Sequence, residues 1–258
     1  MGAGRDVYGR SLKERGAVEF LSDRVYRPMA HLVVRLVLPT PVRPEHLVLV
    51  QGFLGALAAL FVARGADLAA ALLLVLRSIL DNADGQLARA RRQTSQLGRY
   101  LDTEVDLVTN LLVFLALGLR TGRVGLAFLS FLLLVLLLSA DYALNSPKTL
   151  PEARGAEPWA SRLEAFYRAF FGPQDAFFAR LFARGAPHGY RTFLANLGLS
   201  TQHTLLALFL LLGAPEGYLL AVVLAFLLAS VGYLFLVWRT PSPPSPPSRS
   251  GPRGGSSS

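Results

Sequence analysis

The chain has 258 residues, 52% apolar and 17% charged, with no cysteine and a formal net charge of +9. That composition excludes a chain disordered throughout, a disulfide-built scaffold and a thiolate-zinc protein. The positive charge alone would suit a nucleic-acid binder, but its distribution argues for a membrane instead and against any nucleic-acid partner.

Residues 1–42 are expected to form a cytosolic N-terminal segment. Within it, from Ala17 to Leu38, Asp23, Arg24, Arg27 and Arg35 alternate with Phe20, Leu21, Tyr26, Leu32 and Val33. This pattern predicts an amphipathic helix lying on the membrane surface, ended by Thr40-Pro41 and Arg43-Pro44. Six apolar stretches follow, at 47–65, 68–88, 101–119, 124–144, 193–213 and 217–238. Each comes close to the roughly 20 residues that a helix needs to cross the hydrocarbon core. With a cytosolic N-terminus, the inside segments carry eight, four, seven and three Lys/Arg, whereas the outside loops carry Arg64, Arg120 and Arg123. That asymmetry places both termini in the cytosol. Between the fourth and fifth stretches, an amphipathic insert at about 147–190 carries Trp159, Leu163, Phe166, Tyr167, Phe170 and Phe171, with Phe177, Phe178, Leu181 and Phe182 after Gly172-Pro173. Residues 240–258 are rich in Pro, Ser and Gly and are expected to be disordered. The fold class is therefore an all-α integral membrane protein: a six-transmembrane-helix bundle with an N-terminal amphipathic surface helix. Residues 43–239 are expected to hold these six crossings.

Four aspartates interrupt the second and third stretches, where an ionised group costs about 2.5–3.5 kcal/mol at a helix centre. Asp81 and Asp84 are three apart, and Asp102 and Asp106 four apart, so each pair shares a helical face. Antiparallel helices joined by a short turn would gather all four, and an oxygen-only ligand set suits one or two Mg²⁺ or Mn²⁺ ions. Gly85, Ala88 and Gly98 continue the same faces without bulk. Arg89 lies roughly 12 Å along the axis from Asp81, near the cytosolic boundary, where it can pair with a phosphate. A diphosphate substrate with a membrane-associated partner fits these features. A competing reading makes the carboxylates a cation or proton pathway in a six-span transport protein. Arg77 shares Asp81's face, either as a structural counter-ion or as a donor to an anionic substrate. Asn110, Asp141 and Asn145 either line an acceptor site or bond helix to helix. His31, His46, His188 and His203 are expected in packing or interfacial roles, with Gln202-His203 too far outward to reach the metals.

The run Asp81-x-x-Asp84-Gly85-x-x-Ala88-Arg89, eight residues, Gly98-x-x-x-Asp102-x-x-x-Asp106 resembles the signature of the CDP-alcohol phosphatidyltransferase family at every fixed position and gap. The resemblance implies transfer of a substituted phosphoryl group from a CDP-linked alcohol, CDP-diacylglycerol or similar, to an acceptor hydroxyl, with release of CMP. It implies Asp81, Asp84 and Asp102 as metal ligands, and Asp106 beside the metals as base on the acceptor. Gly85, Ala88, Arg89 and Gly98 would contact the CDP moiety. A homodimer among membrane lipids follows by the same resemblance, in a bacterial or archaeal cytoplasmic membrane with the site facing the cytosol. One departure is visible: many members open the first span with Pro-Asn and a nearby Thr, whereas here Pro44 precedes Glu45, His46, Leu47 and Val48.

Overall fold

A computed structural model describes residues 17–94, 96–145, 158–182 and 185–239. The expectations for residues 1–16, for 146–157 of the insert and for the 240–258 tail lie outside them. Among the described residues the secondary structure is all helical. A π-helical turn, Ser22–Tyr26, runs into α1 (Arg27–Val37). Then come α2 (Pro44–Ala63), α3 (Asp67–Ala90), α4 (Gln96–Thr121), α5 (Val124–Asn145), α6 (Pro158–Leu181), α7 (His188–Ala195), α8 (Leu199–Leu211) and α9 (Pro215–Arg239).

Local chemistry sets the ends. Pro44 takes the first position of α2, where its missing N–H costs nothing, and His46 Nδ1 accepts from the Arg43 N–H at 3.1 Å. At the end remote from the motif, the chain reverses through Gly65 and Gly122, at φ +73° and +69°, a conformation that favours glycine. Ion pairs close that end: Arg120 Nη2 lies 2.9 Å from Asp67 Oδ2, and Arg123 Nε 3.0 Å from Glu216 Oε1.

α2, α3 and α4 pack together, with α8 against α3 and α5 against α4 and α9. Their main core lies in the half of the bundle nearer those reversals, around Leu74, Phe114, Leu117, Leu134, Leu206 and Leu219. A second cluster joins α5, α6, α7 and α9 through Leu137, Phe178, Phe182, Leu194 and Tyr233. A third seats α1 on α2 and α3 through Ala30, Val34, Leu47, Ala83 and Leu87. Of the stretch Ala17–Leu38, residues 20–37 are helical, with Ala30 and Val34 facing protein and Met29, Leu32 and Leu36 exposed.

Three helices, α2, α5 and α9, are long and apolar enough to cross a membrane, and α7 with α8 offers a fourth crossing. The stretch expected to run straight over 193–213 is instead bent by 50° where α7 meets α8. Asn196 and Gly198 sit in that break; the Asn196 side chain accepts from Phe20 N–H at 2.9 Å and donates to Val18 O at 2.7 Å. α3 and α4, 24 and 26 residues long, have the length to cross but carry the motif's charges. Composition thus marks three or four of the six expected crossings. α6 runs through Pro173 without ending. The side chains of Trp159, Leu163, Phe166, Tyr167, Phe170 and Phe171 lie outside the described ones.

Candidate metal centre

The motif straddles the turn between α3 and α4, so the aspartates near the end of one helix meet those near the start of the next. Asp81, Asp102 and Asp106 each place a carboxylate oxygen within 4.8 Å of the others. At an effective dielectric near 20, two such charges repel by roughly 3 kcal/mol. An arrangement of this kind is stable with cations among the oxygens, and carboxylates alone are the donor set a hard divalent ion prefers. The fourth aspartate, Asp84, is buried outside that group of three. Its Oδ2 accepts from Gln51 Nε2 at 3.3 Å, and the same nitrogen donates to Asp102 Oδ1 at 2.8 Å.

Arg77 answers Asp106. Its Nη2 lies 2.5 Å from Asp106 Oδ1 and donates to Thr109 Oγ1 at 2.7 Å. Its Nη1 lies 3.2 and 3.0 Å from the two ring nitrogens of His203 on α8. His203 in turn meets Ser78 Oγ at 2.9 Å and Asn110 Oδ1 at 3.3 Å. The guanidinium is only 1% exposed. It fits because α2 presents Gly55 there, where a Cβ would come within 2.9 Å of both Arg77 Nε and Thr109.

The three clustered aspartates line a cavity of about 350 Å³. Asn110, Asp141 and Asn145 line it too, together with Asn82, Ser200 and Thr201, and Phe131, Leu134 and Leu138 supply an apolar wall. The three acceptor candidates therefore share one space with the carboxylates. Asn145 is also engaged locally, donating to Asp141 Oδ1 at 2.7 Å and to Arg191 O at 3.1 Å. Arg77, the remaining candidate, lies behind Asp106 and does not line the cavity.

The four positions expected to contact the nucleotide, Gly85, Ala88, Arg89 and Gly98, lie nearer the α3–α4 turn and do not line this cavity. Arg89 folds back over Gly85, its Nη1 standing 3.1 Å from where a Cβ at Gly85 would be. Gly85 thus leaves room for the guanidinium. On α1, burial and the charge of Arg35 hold His31 below the usual histidine range.

Two groups at the centre were not among the expected site residues. Gln51 is the one amide side chain of α2, and a lone amide in an apolar stretch is a legible signal. His203, expected in a packing or interfacial role too far outward to reach the metals, is instead buried one contact from Asp106 through Arg77.

Two stretches of the chain are similar to known proteins. An 87-residue stretch, 34% of the chain, is 38% identical to the inner membrane protein YnjF of Escherichia coli (strain K12) and covers 42% of it. An 85-residue stretch, 33% of the chain, is 36% identical to a bifunctional IPC transferase and DIPP synthase of Rubrobacter xylanophilus and covers 20% of it. The chain thus matches less than half the length of either relative. Residues 42–169, which contain the whole aspartate motif and both helices that carry it, match the family model for CDP-alcohol phosphatidyltransferases and form a domain of that family.

Proposed function

We propose that the chain is a membrane-embedded transferase moving a substituted phosphoryl group from a CDP-linked alcohol to an acceptor hydroxyl, with release of CMP. The proposal rests on the convergence of Asp81, Asp102 and Asp106 at a cavity that also holds neutral polar groups. Asp81, Asp84, Asp102 and Asp106 would hold Mg²⁺ or Mn²⁺, two ions in all. A bound cation supplies Lewis-acid neutralisation of the phosphate charge. Arg89, with Gly85, Ala88 and Gly98, takes the CDP moiety. Asn110, Asp141 and Asn145 take the acceptor. Asp106 accepts the hydroxyl proton as the acceptor oxygen bonds to phosphorus and the bond from phosphorus to the CMP oxygen breaks. Arg77, engaged by Asp106 and Thr109, serves as the counter-ion that orients this base rather than as a substrate donor.

The six-crossing reading belongs to the same proposal. α3 exposes Leu68, Leu72 and Leu76 while burying Arg77, Ser78 and Asp84; α4 exposes Val108, Leu112, Leu115 and Leu119 while burying Thr109 and Asn110. Leucine outward and polar groups inward is what a crossing helix requires when it carries a site. The domain division follows: 1–42 with α1 on the cytosolic surface, 43–239 as the catalytic bundle with its insert at about 147–190, and 240–258 as a tail. The distribution of basic residues supports a site facing the cytosol, and the likeness to an inner membrane protein of Escherichia coli supports a bacterial or archaeal cytoplasmic membrane. The family resemblance supports a homodimer, which the mass of the purified protein in detergent checks.

The test is CMP release by purified protein against a panel of CDP-linked donors, CDP-diacylglycerol included, and acceptor alcohols. Activity with at least one pair, abolished by EDTA and restored by Mg²⁺ or Mn²⁺, is expected. Solute or cation flux in proteoliposomes without CMP release from any pair would favour the transport reading.

A further inference from the structure

Gln51 stands two residues from Phe53 and one from Val50 in a helix otherwise built to face lipid and core, and it is 0% exposed. An amide so placed is costly unless polar groups meet it. α2 approaches α4 closely there, because a Cβ at the adjoining Gly52 would lie 2.7 Å from Val105 Cγ1. The approach delivers the Gln51 amide between two carboxylates, with Nε2 2.8 Å from Asp102 Oδ1 and 3.3 Å from Asp84 Oδ2. The other end of the same amide, Oε1, is buried with no hydrogen-bond partner.

We propose that Gln51 is a further ligand of the divalent cation that Asp84 and Asp102 share, a position separate from the Asp81–Asp102–Asp106 group. The inference rests on the metal-binding part of the function proposed above. With no cation between two carboxylates, only the N–H end of an amide can face them. With a cation there, the carbonyl end is the one attracted, and a half-turn about the last side-chain torsion exchanges the two ends. In the orientation present the carbonyl end is the one without a partner, and a cation between the carboxylates would draw that end inward. An amide oxygen is a hard, neutral ligand of the kind Mg²⁺ and Mn²⁺ accept, and it adds a bond without adding another negative charge to a crowded acidic site.

The experiment is Mn²⁺ binding to the purified full chain in detergent, read as free Mn²⁺ by electron paramagnetic resonance, without donor or acceptor. Gln51→Met keeps the volume and removes both polar ends; it is expected to weaken one class of Mn²⁺ site at least tenfold and leave the other unchanged. Gln51→Glu always presents an oxygen and is expected to bind at least as tightly as the wild type. Unchanged binding at both classes of site in Gln51→Met would overturn the proposal. A wild-type structure with Mn²⁺ bound needs no variant to fold. It should place Gln51 Oε1 at about 2.2 Å from an ion, and an amide still turned with nitrogen toward Asp84 and Asp102 beside bound Mn²⁺ would also overturn it. Mn²⁺ binding without CMP release would remove the transferase reading and leave Gln51's role standing, whereas a wild type that binds no Mn²⁺ would end both.

Discussion

Arg77 is a full positive charge held at 1% exposure in a helix whose outward face is leucine, and Asp106 is what makes that tolerable. Breaking a buried pair by removing one partner typically costs about 3–5 kcal/mol, because the other is stranded. Arg77→Met is therefore expected to lower the unfolding midpoint in detergent markedly. Since the stranded Asp106 then adds to the repulsion within its cluster, saturating Mn²⁺ should raise the midpoint of this variant by more than it raises that of the wild type. Equal Mn²⁺-induced rises would mean that the guanidinium is not coupled to the carboxylates. Asp106 itself separates ligand from base. Asp106→Asn keeps the shape but cannot accept a proton, so donor affinity in Mg²⁺ should stay near normal while turnover falls by about two orders of magnitude. Asp84→Asn should instead weaken donor binding. Equal losses of donor affinity in the two variants would make Asp106 only a ligand and remove its role as the base.

At the scale of one helix, α2 shows how a centre on two other helices depends on a third. A methyl group at Gly55 would press on Arg77 Nε and Thr109, both anchored by hydrogen bonds. Gly55→Ala is expected to destabilise by about 1–3 kcal/mol through overpacking, measured as a drop in the thermal midpoint. Gly125, with nothing within 4 Å of a Cβ, is the control, and Gly125→Ala should be neutral or stabilising. What could be read from the residues divides along the same helices. α2, α5 and α9 announce themselves because they are apolar on nearly every side. α3 and α4 do so less plainly, since their inward faces hold Arg77, Asp84 and Asn110, although the apolar stretches at 68–88 and 101–119 mark their places and the aspartate spacing marks their shared face. The proximity of Asp81, Asp102 and Asp106 followed from helical periodicity and a short turn. The seat of Arg77 did not, because it depends on Gly55 from one neighbour and His203 from another, and no local pattern reports contacts 126 residues apart. The bend between α7 and α8 was hidden for a similar reason: Asn196 is satisfied there by the backbone of residues 18 and 20, far away in the chain.

For the whole molecule, the absence of cysteine turns topology into a clean measurement. Single substitutions Arg64→Cys, at the α2–α3 reversal, and Arg92→Cys, at the α3–α4 turn, place one exposed thiol at each end of α3. In sealed vesicles of known orientation, a membrane-impermeant maleimide should label the first only from outside and the second only from the cytosolic side. Labelling of both from one side would remove α3 as a crossing and with it the six-span arrangement. The turn that holds Arg92 also holds Arg91, whose guanidinium gathers the carbonyls of Val37, Leu38, Thr40 and Val42 at 3.1, 3.0, 2.6 and 2.5 Å. All four partners are main-chain oxygens, which every amino acid possesses. The hydrogen-bonded part of the link between α1 and the end of α3 is thus blind to the side chains at those positions. A substitution at Val37, Leu38 or Val42 therefore alters the apolar packing those side chains make on α2 and α3 while leaving the arginine's four acceptors in place.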